Sequence, residues 1–212
     1  MQKNALPVWA IGSMLLAFSP APLAAQSSGL ELAAVVMVGM LAALIYTCVS
    51  SVRAWYGHAG GSDSPPAWMD ALTPGLAIVG LGVAGYLSYV ETQAVPAVCG
   101  PVGDCNAVQT SSYSKLFGVL PVGVVGMIGY VAILVAWLWG HFRSDRLADY
   151  APLAILCMAV LGVLFSVYLT YLELFVIRAV CVWCLASAVI MTLLMLLTTS
   201  PALASFAPEP EE

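Results

Sequence analysis

The sequence predicts an all-α integral membrane protein, in which a four-helix transmembrane bundle follows an extra N-terminal hydrophobic hairpin. Of the 212 residues, 62% are hydrophobic and only 8% are charged, whereas soluble domains average about 25% charged residues. The mean hydropathy of +0.98 agrees with a chain that lies mostly in lipid. Six intervals between charged residues are also long enough for a membrane-spanning helix, which needs about 20 apolar residues.

The same composition excludes other classes of protein. A chain this apolar is not disordered, and six cysteines in 212 residues are too few for a disulfide-knotted toxin. The basic residues are scattered along the chain, which argues against binding to nucleic acid.

The first apolar interval, between Lys3 and Glu31, has two interpretations. Residues 1–25 resemble a signal peptide, with an apolar run followed by small residues, but they are also long enough for a first membrane span. Residues 26–70 then carry an accessory helix over Leu30–Val52 and a flexible linker rich in Gly, Ser and Pro. We expect these segments to form the N-terminal hairpin.

The four-helix core is predicted over residues 71–199. Its spans are Leu72–Val90, Val119–Trp139, Pro152–Tyr171 and Ala179–Leu197. The last helix is expected to end at Pro201, and residues 200–212 form an acidic tail that we expect to be disordered. No charge lies within these spans, which argues against an ion or proton pump. Glycines on the first two core spans favour close helix packing, namely Gly80, Gly82, Gly85, Gly123, Gly126 and Gly129.

Basic residues beside short loops predict the orientation of the bundle. The predicted cytoplasmic residues are Lys3, Arg53, Arg143 and Arg146, and the predicted outer residues are Lys115 and Arg178. We therefore expect a multi-pass protein of the cell inner (cytoplasmic) membrane. The loop Glu91–Leu120 then faces the periplasmic or extracytoplasmic side, and its length of about 30 residues is typical of a functional loop.

Four of the six cysteines form two pairs on the predicted outer side. Cys99 and Cys105 lie in the loop sequence CGPVGDC, where glycine and proline favour a tight turn. Cys181 and Cys184 form a C-x-x-C motif, CVWC, at the start of the last span. The first turn of a helix offers unpaired N–H groups and the positive end of the helix dipole, which favour the reactive thiolate. The two pairs predict a redox-active centre.

Other roles for these cysteines remain open. The loop pair is also typical of a structural disulfide, and a C-x-x-C in a membrane helix is also typical of two small buried hydrophobic residues. Zinc usually needs a more compact arrangement than C-x5-C, so no metal site is expected. Cys48 and Cys157 have no partner in the sequence, and we expect them to be packing residues.

The order and spacing of several motifs resemble the vitamin K epoxide reductase family. The motifs are the loop pair Cys99 and Cys105, the Ser-rich stretch Ser111–Tyr113, the sequence G-V-L-P at Gly118–Pro121, the G-x-x-x-Y at Gly126–Tyr130, and the pair Cys181 and Cys184. The resemblance covers about Leu72–Leu197. It implies a membrane enzyme that passes electrons from a thioredoxin-like partner, through two cysteine pairs, to a quinone.

The resemblance also implies a role for each cysteine. Cys99 would accept electrons from the partner, Cys105 would attack Cys181 to form an internal mixed disulfide, and Cys184 would pass electrons to the quinone. Because the tail is short, the partner is expected to be a separate thioredoxin-fold (DsbA-like) protein. The segment Ala107–Phe117 would cap the quinone pocket as an amphipathic half-helix.

One departure from the family pattern bears on the electron acceptor. The family's vertebrate members hold the quinone oxygens with an Asn and a Tyr, and the corresponding positions here are Val122 and Ala188. This departure favours ubiquinone or menaquinone over vitamin K epoxide. The predicted quinone contacts are Ser111, Tyr113, Phe117 and Trp183, although Trp and Tyr also concentrate at membrane interfaces as anchors.

Two other function classes remain open. A thiol oxidase of the DsbB type would carry its C-x-x-C in the first outer loop, whereas here the motif comes last. A non-enzymatic membrane protein, such as a transporter subunit, would hold its cysteines in structural disulfides that stay oxidised.

Overall fold

The computed structural model describes residues 23–56, 67–100, 103–116, 118–143, 145 and 147–205. Almost all of the predicted signal-like segment lies outside the described residues. The same is true of most of the predicted linker, of the acidic tail after Ser205, and of Phe117, one of the four predicted quinone contacts.

Five long helices dominate the described part of the chain. In chain order the elements are α1 (Leu23–Trp55), α2 (Ala67–Gln93), a short α3 (Cys105–Gln109), β1 (Lys115–Leu116), β2 (Leu120–Pro121), α4 (Val122–Phe142), a 3-10 turn (Ala148–Tyr150), α5 (Ala151–Tyr171) and α6 (Val182–Ala204). The two strands form a small antiparallel hairpin. Every long helix has the length and apolar composition to cross a membrane, which confirms the prediction of an all-α membrane protein.

Two prolines lie inside membrane helices. α6 continues through Pro201 to Ala204, so the prediction that Pro201 ends this helix is wrong. Pro74 likewise lies inside α2. Proline is tolerated in membrane helices because neighbouring helices, polar side chains and local adjustments satisfy the backbone groups that it leaves free.

The helices of the core pack in two main pairs, α2 with α4 and α5 with α6. Two of the predicted packing glycines permit close approach. A Cβ on Gly80 would collide with the ring of Tyr130, and one on Gly123 would collide with the backbone at Ser88. The packing role predicted for three others is wrong, because a Cβ there would meet nothing within 4 Å: Gly82, Gly85 and Gly129.

The accessory helix α1 belongs to the packed bundle and lies mainly against α6. Met40 and Ala43 join the main hydrophobic core. The hydroxyl oxygens of Thr47 on α1 and Thr199 on α6 form a buried hydrogen bond of 3.4 Å. α1 is the described part of the predicted N-terminal hairpin.

The two remaining cysteines lie on the outer surface of the bundle. Cys48 on α1 and Cys157 on α5 are both exposed, so a membrane would cover them with lipid. The prediction that they pack inside the protein is wrong. The spans are apolar on every side, and such a pattern does not show which residues face the interior.

The end of α5 differs from its predicted boundary. Helical structure continues past Tyr171 as a π-helical turn, Leu172–Ile177. The continuation buries Glu173, of which only 2% is exposed. The prediction that no charged residue lies within the core spans is therefore wrong. A π-helical turn changes which residues face the interior, and such turns are frequent at functional sites.

Candidate active site

The loop pair of cysteines forms a disulfide between Cys99 and Cys105. Cys99 is partly exposed, whereas Cys105 is fully buried. Cys105 begins α3, where the carboxylate of Asp104 accepts a hydrogen bond from the N–H of Ala107 at 3.1 Å. The local sequence therefore starts a helix at the second cysteine, and only the first cysteine of the pair faces outward.

Three hydrogen bonds hold the chain just before Cys99. The N–H of Val98 donates to the hydroxyl of Tyr86 at 2.8 Å, and its carbonyl accepts from the indole N–H of Trp183 at 2.9 Å. The N–H of Ala97 donates to the side-chain oxygen of Asn106 at 2.7 Å. Trp183 thus fixes the loop against the start of α6.

The turn after Cys99 touches the chain that leads into the CVWC motif. The N–H of Asp104 donates to the carbonyl of Val180 at 3.0 Å. Gly103 has a φ of +92°, and a Cβ there would collide with the same carbonyl, so this turn requires glycine. These contacts bring Cys105 and Cys181 into one buried hydrophobic cluster, to whose edge Cys99 and Cys184 belong.

The CVWC motif lies at the start of a helix, as the sequence predicts. Cys181 is the N-cap of α6, and its sulfur accepts a hydrogen bond from the N–H of Cys184 at 3.3 Å. Cys181 is fully buried and Cys184 is partly buried, and both are free thiols. The first N–H groups and the positive end of the dipole of α6 point toward the sulfur of Cys181.

Sequence reasoning missed Glu173, which lies beside this pair. A carboxylate oxygen of Glu173 accepts a hydrogen bond from the N–H of Cys181 at 3.4 Å, and a carboxylate oxygen lies within 4.8 Å of the sulfur of Cys184. One signal in the sequence was available, because an acid next to a membrane span is rare and usually functional.

The same three side chains offer a set of metal-ligand atoms. Ligand atoms of Glu173, Cys181 and Cys184 all lie within 4.8 Å of one another. Zinc needs four ligands in a structural site and three in a catalytic one. The expectation that no metal binds stays a prediction.

Two cavities meet at Cys184. The smaller one has a volume of about 40 Å³, and the larger one, between α2, α4, α5 and α6, has a volume of about 340 Å³. Ser111 and Tyr113, two of the predicted quinone contacts, line the smaller cavity. Trp183 is not among the described residues that line either cavity.

The segment that closes the smaller cavity differs from the predicted half-helix over Ala107–Phe117. α3 ends at Gln109, and the β1–β2 hairpin follows. The hydroxyl of Ser111 donates to the carbonyl of Val108 at 2.7 Å, and that of Ser114 donates to the carbonyl of Ser111 at 2.9 Å. Such local bonds compete with helical ones, so the Ser-rich stretch forms turns.

Comparison with known proteins decides the family. Residues 71–199 match the model of the vitamin K epoxide reductase family, and this match covers more than half of the chain. The chain belongs to the vitamin K epoxide reductase family. Members of this family are oxidoreductases, and the cysteine pairs agree with a membrane thiol-disulfide oxidoreductase. No curated protein matches the chain.

The two positions that depart from the family's vertebrate members have different surroundings. Val122 lines both cavities. Ala188 is buried in the hydrophobic core and is not among the described residues that line either one. Four residues with hydroxyl groups line the larger cavity, namely Tyr130, Ser166, Thr170 and Ser187. The hydroxyl oxygens of Tyr130 and Ser187 lie 3.0 Å apart.

Proposed function

We propose that this protein reoxidises a separate thioredoxin-fold (DsbA-like) protein and passes the electrons to a membrane quinone, ubiquinone or menaquinone. Such a reaction supports disulfide bond formation in other proteins. One observation carries the proposal. The four cysteines belong to a single cluster that is partly exposed at Cys99 and borders a membrane cavity at Cys184.

The first step is exchange between the partner and the loop disulfide. Cys99 is the accessible sulfur of that disulfide, because Cys105 is fully buried. A partner thiolate attacks the sulfur of Cys99, the bond to Cys105 breaks, and Cys105 leaves as a thiolate. The second partner thiol then releases Cys99, so the partner ends as a disulfide and the loop pair as two thiols.

The second step moves the electrons inward. The Cys105 thiolate attacks Cys181 of an oxidised CVWC pair, and Cys184 leaves as a thiolate. Cys99 then attacks the sulfur of Cys105, which restores the loop disulfide and frees Cys181.

The third step transfers two electrons and two protons from the CVWC dithiol to the quinone, which leaves as a hydroquinone. The larger cavity is suited to a quinone ring. Its volume of about 340 Å³ lies in the range of small-molecule sites, and mainly apolar residues line it. Cys184 supplies the reacting sulfur at its edge, and the hydroxyls of Tyr130 and Ser187 supply polar contacts. Ser111 and Tyr113 lie on the other side of Cys184.

We also propose that the cysteines lie on the periplasmic or extracytoplasmic side of the cell inner membrane. Arg53 lies in the last turn of α1 and Arg143 is the C-cap of α4, whereas Lys115 lies in β1 and Arg178 lies just before the CVWC motif. More basic residues are expected on the cytoplasmic side. The proposed organisation is a signal-like or first transmembrane segment (1–25), an accessory helix and linker (26–70), the catalytic core (71–199) and an acidic tail (200–212).

Thiol trapping in isolated membranes tests this function. The redox state of each cysteine pair is measured with the quinone pool present and after its extraction. The relay predicts that the CVWC pair accumulates as thiols when quinone is removed and returns to a disulfide when quinone is added back. Pairs that stay fully oxidised under both conditions would support structural disulfides in a non-enzymatic protein.

A further inference from the structure

The most deeply buried acid of the described core is Glu173, and the relay as described gives it no task. Only 2% of its surface is exposed. Its carboxylate accepts the N–H of Cys181 at 3.4 Å and lies within 4.8 Å of the sulfur of Cys184. Among the described residues it has no ion-pair partner. Burial of a carboxylate is costly without such a partner, so its position requires an explanation.

The chemistry of Cys184 explains why an acid lies at this position. A thiol must lose its proton before its sulfur can attack, because the thiolate is the nucleophile. A thiolate that leaves a disulfide must later regain a proton. Cys184 is only partly buried, and mainly apolar residues line the larger cavity that it borders. A proton acceptor beside the sulfur, as Glu173 is, solves both problems.

We propose that Glu173 is the proton acceptor and donor of Cys184, an inference that rests on the proposed function for the direction of electron flow. When Cys184 attacks, its S–H bond breaks, the proton moves to a carboxylate oxygen of Glu173, and the sulfur electron pair forms the new bond. When Cys105 displaces Cys184 from Cys181, the proton returns from Glu173 to the Cys184 sulfur.

Other titratable groups near Glu173 are less well placed. Glu91 and Tyr113 line the same small cavity, but a carboxylate oxygen of Glu91 accepts the N–H of Gly123 at 2.9 Å, and Lys115 lies near Glu91. The cavity volume of about 40 Å³ has room for about three water molecules. These can carry the proton from Glu173 toward the loop surface.

The test measures how fast Cys184 of the reduced full-length chain reacts with N-ethylmaleimide, from about pH 6 to about pH 9, with the modified residue identified by mass spectrometry. The wild-type rate should depend weakly on pH, because the base is built in. In Glu173→Gln the rate at neutral pH should fall about 10²-fold and should rise about tenfold for each pH unit, since hydroxide must then remove the proton.

Two variants serve as controls. Glu91→Gln removes a negative charge from the same cavity but leaves Glu173 beside Cys184, so it should keep the weak pH dependence. Glu173→Asp keeps a carboxylate and should recover part of the lost rate. A Glu173→Gln chain that reacts as fast as wild type or faster, with the same pH dependence, would overturn the proposal, because Glu173 would then act only through its charge or its packing.

A second measurement covers the case in which Glu173→Gln does not fold. Wild-type labelling should be slower in D₂O, because a proton moves as the sulfur attacks, and an equal or faster rate in D₂O would contradict the proposal. Labelling needs neither partner nor quinone. A chain that passes these tests but reduces no quinone would therefore leave the role of Glu173 intact and remove the proposed function.

Discussion

The indole N–H of Trp183 donates a hydrogen bond to the carbonyl oxygen of Val98 at 2.9 Å. Trp183 lies between the two cysteines of the CVWC motif, and Val98 comes directly before Cys99. One bond therefore connects the two cysteine pairs. The rings of Trp183 and Tyr86 also pack with their centroids 4.7 Å apart.

The first prediction concerns this bond. Trp183→Phe keeps an aromatic ring against Tyr86 but removes the N–H donor, a loss of about 1 kcal/mol. We expect electron exchange between the loop pair and the CVWC pair to slow by about fivefold, measured as oxidation of a reduced thioredoxin-fold protein. Trp139→Phe, at the other end of the bundle beside Arg143, is the control. A wild-type exchange rate in Trp183→Phe would show that the bond does not position the loop.

The second prediction concerns the turn between the loop cysteines. Gly103→Ala should destabilise the protein by about 1–3 kcal/mol, because alanine disfavours a φ of +92° and its Cβ collides with the carbonyl of Val180. Exchange between Cys105 and Cys181 should slow as well. Gly100→Ala, with open space around its Cβ, is the matched control in thermal unfolding and exchange assays. Equal behaviour of the two variants would contradict the proposed contact.

The third prediction tests which cysteines exchange inside the protein. The double variant Cys99→Ser/Cys184→Ser leaves Cys105 and Cys181 as the two cysteines of the cluster. Both are fully buried in the same hydrophobic cluster. Mild oxidation should therefore join them in a disulfide, which mass spectrometry of a digest detects. Cys99→Ser/Cys181→Ser leaves Cys105 and Cys184 and should give much less cross-link. The opposite ratio would mean that Cys184 is the residue attacked.

The fourth prediction concerns the electron acceptor. An epoxide needs a donor that stabilises the developing alkoxide, which is worth several kcal/mol in a dry site, and Val122 and Ala188 offer none. We expect ready reduction of ubiquinone or menaquinone analogues and little turnover of vitamin K epoxide. The hydroxyls of Tyr130 and Ser187 bond to each other, so they are poor substitutes. Turnover of epoxide at a rate comparable with quinone would contradict this prediction.

The membrane architecture could be predicted well from the sequence, because a bilayer permits few backbone structures. A charge-free interval that crosses the membrane forms a helix of about 20 residues. The five spans that were predicted over the described residues all occur as long apolar helices. The start of α6 at the CVWC motif was also predicted, because the preceding Arg178 limits the span. Helix boundaries were less accurate, since Glu173 suggested a helix end where the chain continues as a π-helical turn.

The surroundings of the cysteines could be predicted only in part. The charge pattern and the lengths of the apolar intervals predicted two cysteine pairs on one side of the membrane, but not that Trp183 turns toward Val98 and away from the cavities. The direction of a side chain on a helix depends on packing partners that are distant in sequence. For the same reason the contact of Glu173 with Cys184, from another helix, left no signal in the motif.

The most direct test of the relay is reduction of a ubiquinone analogue by the purified full-length protein, with either dithiothreitol or a reduced thioredoxin-fold protein as electron donor. Cys99→Ser should lose activity with the protein donor and keep it with dithiothreitol, which can reach the CVWC pair directly. Cys184→Ser should lose activity with both donors, and Cys48→Ser, on the lipid-facing surface, should resemble wild type. Equal loss of dithiothreitol-driven activity in Cys99→Ser and Cys184→Ser would contradict the division of labour between the two pairs.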